Sequence, residues 1–203
     1  MSGLASVVPR ARRSKMNRPK EPQKEWIEGC IQNKRRAQKA LYEWCYPHLM
    51  SVSSRYSKNL EDAKSQANES FLKMLSHLKS YDPKRSFIPW MSTIAVRSAI
   101  DEYRKRKRDH LVFQDDQWHS QNEAQIEPDV IESLNAEHIE SAIQGLKPSE
   151  RMVFNLYVIE GYAHKEVAQM LKISERTSKR LFQKAKAELQ AALAPVNKEW
   201  TSS

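Results

Sequence analysis

Apolar residues recur every three or four positions over most of this chain, the spacing that gathers them on one side of a helix. Leu41, Trp44, His48, Leu49, Val52 and Tyr56 form one such stripe. Ala63, Ala67, Phe71, Met74, Leu75 and Leu78 form a second, and Phe87, Trp90, Met91, Ile94, Ala95 and Ile100 a third. The alternation expected of strands is nearly absent. Tyr81-Asp82-Pro83-Lys84 separates the second stripe from the third, because proline disfavours helix in the residue before it. Residues 25–108 therefore predict three or four helices, enough for a small bundle.

The pattern then lapses and returns. From Asp109 to about Val130 periodicity is weak, and a linker is expected. Ile131–Ile143 regains helical spacing. Beyond it, Pro148 followed by Ser149-Glu150 starts a helix that includes Val153, Phe154, Leu156 and Tyr157. Gly161 ends that helix, as glycine does at C-termini. His164–Leu171 predicts a short helix. Ser174 is placed to cap the next, since its hydroxyl can accept a free backbone N–H. Leu181, Phe182, Ala185, Leu189 and Leu193 give that last helix its buried side, and Pro195 is expected to help end it. The fold class expected is all-α: two small helical domains joined by an acidic linker, the second a helix-turn-helix. The boundaries read as a disordered basic arm over 1–24, a first domain over 25–108, a linker over 109–135, a second domain over 136–194 and a tail over 195–203.

Composition sharpens this picture. The 203 residues carry a formal net charge of +9. That balance points to a polyanion, although a merely basic protein would show it too. The charge is unevenly spread. Residues 1–24 hold seven Lys/Arg and one Glu, whereas residues 109–146 hold nine Asp/Glu and no Lys or Arg. The acidic block is either a solubilising linker or a mimic of nucleic acid that occupies a basic channel in a partner. Cys30 and Cys45 cannot build a disulfide framework, so a reducing, cytoplasmic setting is expected. No apolar run approaches a membrane span, so no membrane insertion is expected. The six histidines and two cysteines lack zinc spacing. No phosphate-cradling glycine loop or nucleophile elbow is present. The reading assigns no catalytic residue, no metal and no cofactor.

Two basic constellations remain. In Tyr157–Leu189, Val167, Ala168, Leu171 and Ile173 supply the buried positions of a helix and turn, and Ala168 is small enough for the next helix to cross closely. That next helix exposes Arg176, Lys179, Arg180, Gln183, Lys184 and Lys186. In a helix-turn-helix the N-terminal part of the second helix meets base edges, where Arg suits guanine and Gln adenine. Arg176, Lys179, Arg180 and Gln183 are the base-reading candidates. Lys184 and Lys186 suit phosphates, which position without specifying. The second constellation is Phe87–Arg108, where an apolar front half runs into Arg104-Lys105-Arg106-Lys107-Arg108. Tyr81, Phe87, Trp90 and Tyr103 lie among these charges, and aromatics beside cations suit unstacked bases. A solvated helix end, with its cations complementing the helix dipole, explains the same run.

Taken in order, these segments resemble the extracytoplasmic-function sigma factors, the small branch of the sigma-70 class. The first unit carries Ala40-Leu41-Tyr42, Glu61-Asp62-Ala63, Asn68-Glu69-Ser70-Phe71-Leu72-Lys73, Phe87-Ile88-Pro89-Trp90, Ile94-Ala95-Val96, Asp101 and Arg104. The second carries Leu146, Pro148, Arg151-Met152-Val153-Phe154, Glu160-Gly161-Tyr162, Glu166-Val167-Ala168, Leu171, Ser174, Thr177, Lys179 and Ala185. The resemblance covers about residues 25–193. It implies a factor that binds core RNA polymerase, carries it to a promoter and helps open the DNA. The helix-turn-helix would read the −35 element as duplex, while the first domain would capture the melted non-template strand of the −10 element. By the same resemblance the polymerase β′ coiled coil would meet Glu61, Asp62, Asn68, Glu69 and Lys73, with Phe71 more core than contact. The −10 contacts would be Lys84, Arg85, Trp90, Arg97, Arg104, Lys105 and Arg108, with the base-capturing loop at about Ser80–Phe87. The resemblance further implies the β flap as a second polymerase contact, an anti-sigma factor as a partner, as many relatives have, and the acidic block as a connector that would thread the polymerase channels.

The chain departs from the family pattern at Lys64, Ser65, Gln66 and Asn68 on the polymerase-facing helix. Arg97 stands where many members have an Asn lining the base pocket. Ala163 replaces a Ser/Thr cap, Lys172 a turn glycine and Ser178 a valine. These differences bear on core affinity, −10 preference and stability. A stand-alone DNA-binding regulator and a degenerate module that only sequesters a partner are the competing functions.

Overall fold

The computed structural model describes residues 21–112 and 131–200, with side chains for 21–108 and 138–194. The described residues are helical, with no strand among them. They divide into two compact units, one up to Asp109 and one from His110 on.

In the first unit, α1 spans Lys24–Ile31, α2 Arg35–Tyr56 and α3 Leu60–His77; a single 3₁₀ turn covers Leu78–Ser80, and α4 runs Phe87–Val112. The three sequence stripes meet in one core. Leu41, Cys45, Leu49 and Val52 of α2 are buried against Ala63, Ala67 and Met74 of α3 and Met91, Ala95 and Val96 of α4. Each fully buried side chain of Leu or Val size stabilises this packing by roughly 1.5–3 kcal/mol. Phe87 sits at the centre of an aromatic cluster, edge-on to Trp44 at 5.8 Å and to Tyr81 at 5.0 Å. Edge-to-face geometry sets the positive ring edge against the negative face. Asn59 caps α3, its Oδ1 accepting the Asp62 N–H at 2.8 Å. Gly29 is required by close approach, since a Cβ there would lie 2.5 Å from Cβ of Ala37 on α2. Polar ties lock the elements: Arg106 of α4 donates to Asp62 of α3 at 3.0 Å, and His48 of α2 pairs with Ser92 of α4 at 2.7 Å.

The second unit contains α5 Ile131–Gly145, α6 Pro148–Phe154, a π turn Asn155–Ile159, α7 His164–Leu171 and α8 Glu175–Trp200. Leu146, Ala185 and Leu189 form one core cluster, packed against Ala142, Ile143 and Phe154. Val153, Leu156, Val167 and Leu171 are buried as well. Arg151 is also buried, and its guanidinium is satisfied by the Gln144 backbone oxygen at 2.8 Å and Oε1 at 3.0 Å. Gly161 adopts φ +80°, the left-handed region where a side chain would strain the turn.

Three expected boundaries move. The basic arm does not extend to residue 24: Pro22 is buried, Glu21 bonds to α4, and α1 begins at Lys24. The helix expected to stop at Arg108 continues to Val112, while residues 113–130, the heart of the expected linker, and residues 1–20 lie outside the described residues. Pro195 does not end α8, which continues to Trp200. Proline inside a helix removes one hydrogen bond and crowds the preceding turn. α2 likewise carries Pro47 in its interior.

Candidate nucleic-acid and polymerase interfaces

The helix-turn-helix is built from local signals. α7 begins without a side-chain cap, because Ala163 has no acceptor. Glu166 compensates by accepting the Ala163 N–H at 2.8 Å, half of a capping box. The turn closes with the Ile173 N–H on the Ala168 carbonyl at 3.0 Å, and Lys172 takes the left-handed conformation, φ 52°. Ser174 caps α8 as expected, its Oγ accepting the Thr177 N–H at 3.0 Å. At 100° per residue, Ser178, Leu181, Phe182, Ala185 and Leu189 fall on one side of α8, and Arg176, Lys179, Arg180 and Gln183 on the other. The first set is buried or half-buried and the second is exposed. Lys184 is exposed beside this row, and Lys186 is half-buried at its opposite margin. Lys179 pairs with Glu175 at 2.6 Å, which holds the Glu175 carboxyl below the usual range.

Behind the basic face lies the first residue of α7, a histidine. His164 stacks on Tyr157, ring centroids 4.1 Å apart at 9°, and its Nδ1 lies 3.0 Å from Oγ of Ser178. Phe182 closes the group at 5.6 Å from the imidazole. Burial, then the charge of Lys179, hold His164 below its ordinary pKa. Ser178 is fully buried, and the imidazole gives its hydroxyl a partner.

The second site is a cleft of about 650 Å³ on the first unit, a size that suits small ligands. Arg85, Trp90 and Arg97 line it, as do Lys73, His77 and Ser98. The Trp90 ring is braced by Phe87 at 5.2 Å and Tyr81 at 5.0 Å. Arg97 is exposed and forms no ion pair among the described residues. Trp90, Arg97, Arg104 and Arg108 recur at helical spacing along α4, so the cleft continues into a basic track that Lys105 flanks. Asp101 interrupts it and lies 3.6 Å from Arg104. Lys84 sits on the loop, its N–H held by Asp82 Oδ1 at 3.0 Å. Of the interleaved aromatics, Phe87 is wholly buried and belongs to the core, and burial pushes the half-buried Tyr103 hydroxyl above its ordinary pKa. Tyr81 is pushed the same way by burial, then by Glu21 and Asp82.

The third surface is the outer side of α3. Glu61, Asn68 and Glu69 are exposed there, with Leu72 at 62% exposure. Tyr42 of α2 donates to Asn68 Oδ1 at 2.8 Å and fixes that amide. Two members of the expected polymerase set also make contacts within the fold, Lys73 among them through Glu69 at 3.5 Å. Asp62 is engaged by Arg106, and Lys73 reaches Ser98 Oγ at 3.1 Å across the cleft. The sequence missed Leu72, an apolar residue facing outward, and it missed His77, although its i+4 spacing from Lys73 was readable. Cys30 and Cys45 are buried, and burial pushes the Cys30 thiol up to about 11. No group among the described residues could hold a metal ion, and no described helix is long and apolar enough to cross a membrane.

Comparison with known proteins agrees with this arrangement. Residues 41–109 match the family model of sigma-70 region 2, and residues 136–189 that of sigma-70 region 4. The chain is 27% identical over 128 residues to the RNA polymerase sigma factor CarQ of Myxococcus xanthus, covering 63% of this chain and 72% of the relative. It is 26% identical over 141 residues to the ECF RNA polymerase sigma factor SigX of Bacillus subtilis, covering 66% and 72%. In fold it is similar to the sigma factor RpoE of Bartonella quintana, solved with the anti-sigma factor NepR, at a TM-score of 0.50 and 20% identity over 77% of this chain and 96% of that one. With region 2 before region 4 and relatives of this branch over most of its length, the chain belongs to the extracytoplasmic-function group of the sigma-70 family.

Proposed function

We propose that this chain binds core RNA polymerase through the outer side of α3, reads the −35 duplex with Arg176, Lys179, Arg180 and Gln183 of α8, and holds the melted −10 strand in the α4 cleft. One observation carries the reading. A single chain pairs an exposed basic recognition face with a separate cleft where a braced tryptophan meets exposed cations, so it can meet duplex and unstacked bases at once. Lys184 and Lys186 would steady the duplex through phosphates. Arg104, Lys105 and Arg108 would follow the backbone of the opened strand away from Trp90. Asn68, Glu69, Glu61 and Leu72 would dock on the β′ coiled coil, and the second unit on the β flap. Residues 25–108 and 136–194 are the two functional domains in this proposal, and the acidic block between them is the connector. The factor works in the cytoplasm, where polymerase is. The anti-sigma partner of the Bartonella relative makes an inhibitor of that kind a fitting regulator here. A stand-alone regulator is not favoured, because the α3 surface and the cleft would then have no use.

The test is transcription in vitro with purified core polymerase on fragmented genomic DNA, with and without this chain. Discrete new start sites sharing two spaced elements are expected. Tight duplex binding with no new starts would replace the proposal by the stand-alone regulator.

A further inference from the structure

The basic face of α8 carries one residue of the opposite sign. Glu175–Ala187 hold five Lys/Arg and a single acid, Glu175. Beside a polyanion that carboxylate repels phosphates. The start of a helix favours a carboxylate, but capping does not need this one. Ser174 already caps α8, its Oγ accepting the Thr177 N–H at 3.0 Å. Glu175 instead turns along the helix, and its Oε1 meets the Lys179 ammonium one turn on at 2.6 Å. That contact holds the carboxyl below its usual range, so it is an ionised acceptor. Both side chains remain open to solvent, Glu175 with 46% and Lys179 with 60% of its surface exposed.

The pair is therefore an acceptor and a donor held side by side on the face that would meet the groove. An ionised carboxylate offers about four lone-pair sites, and an ammonium about three N–H donors. After the bond between them, each keeps capacity for a base edge. The major-groove edge of a C·G pair is their complement: cytosine N4–H2 donates, while guanine O6 and N7 accept. In an A·T pair the adenine amino group stands between two acceptors, N7 and thymine O4, which repel a carboxylate aimed at it.

We infer that Glu175 and Lys179 act as one specificity-determining unit that reads a C·G pair of the −35 element, Glu175 accepting from cytosine N4 and Lys179 donating to the guanine of the same pair. The inference rests on the proposed reading of −35 duplex by α8, and it adds Glu175 to that reading.

The experiment uses holoenzyme made with the full chain or with Glu175→Gln. The −35 element of a promoter that the parent starts from is varied one base pair at a time through all four pairs, and each fragment's affinity is measured. The parent should prefer C·G at one position by about five- to a hundredfold, the range of a specific side-chain contact with a base. Glu175→Gln should lose that preference and favour A·T there, because a glutamine amide pairs with adenine N6 and N7. Preferences at the other positions should stay in the same order. Removing a carboxylate also strengthens binding to every fragment alike, so the ratios between base pairs carry the test. A residue that only stabilised the start of α8 would move none of those ratios. If the parent discriminates but Glu175→Gln leaves its profile unchanged, or if no position prefers C·G, the inference is overturned and −35 reading by the other α8 side chains survives. A parent that binds every −35 variant equally would overturn the −35 reading itself.

Discussion

At the scale of single residues, Lys172 and Ser178 show how this chain tolerates unusual side chains. Lys172 occupies φ 52°, ψ 49°, where a β-carbon crowds the backbone. A residue with a Cβ in this region costs roughly 1–2 kcal/mol, part of which glycine forfeits in unfolded-state entropy. Lys172→Gly should therefore stabilise the second unit by about 1 kcal/mol. Denaturant titration of the full chain would show it as a later midpoint with the same slope, and an earlier midpoint would mean that the lysine makes compensating contacts. Asn33 adopts a similar angle, φ 57°, and asparagine is among the few side chains that accept it.

At the scale of helices, the joint between α7 and α8 depends on the protonation of His164. Its ring stacks on Tyr157 and meets Phe182 at a tilt, with Tyr157 and Phe182 also in contact at 4.8 Å, Ser178 Oγ at its Nδ1, and Lys179 and Glu175 nearby. Burial and then Lys179 depress its pKa below 6.5, and Glu175 opposes them more weakly. The unfolded chain binds a proton more readily here than the folded one, so stability rises with pH across the gap between the two pKa values. The contribution is fully present above about pH 7.5 and declines as pH falls through the unfolded value near 6.5. His164→Phe keeps the ring stack and removes the titration. Subtracting its stability-versus-pH curve from that of the parent chain should leave a slope between about pH 5.5 and 7.5. Parallel curves would rule this coupling out. Sequence made α7 and α8 readable because their ends carry local signals, a serine cap and a turn. The His164–Tyr157 stack was not readable, since it depends on how the π turn at Asn155–Ile159 sets Tyr157 against α7. The same holds for the bond from the Phe87 N–H to Glu21. A capping bond across 66 positions leaves no periodic trace, so Glu21 looked like part of a charged tail.

At the scale of the whole molecule, the proposal puts β′ docking on α3 and −35 reading on α8, and these two surfaces should be separable by mutation. The basic run Arg104–Arg108 was legible from sequence but lies outside the lining of the cleft, whose cations Arg85 and Arg97 were named only through the resemblance. Arg97 and Arg85 line it, Arg106 is spent on Asp62, and Lys73 crosses over from α3. The outer side of α3 was readable only by resemblance, and Leu72 is what its geometry adds. Leucine at 62% exposure gains little from its own fold. Covering it at an interface is worth roughly 1.5–3 kcal/mol, or about 10- to 100-fold in affinity. Leu72→Asp should therefore weaken core-polymerase binding by at least about tenfold while leaving the protein folded and its binding to −35 duplex unchanged. The opposite pattern is expected of Lys179→Glu with Arg180→Glu, which should form holoenzyme normally and lose promoter selection. Fluorescence anisotropy with labelled core polymerase, run beside duplex binding, measures both. If Leu72→Asp left core binding intact, the docking surface would have to lie away from the outer side of α3. If the α8 double reversal weakened core binding as strongly as Leu72→Asp, the two units would not act as separable instruments, and one shared interface would have to replace the two described.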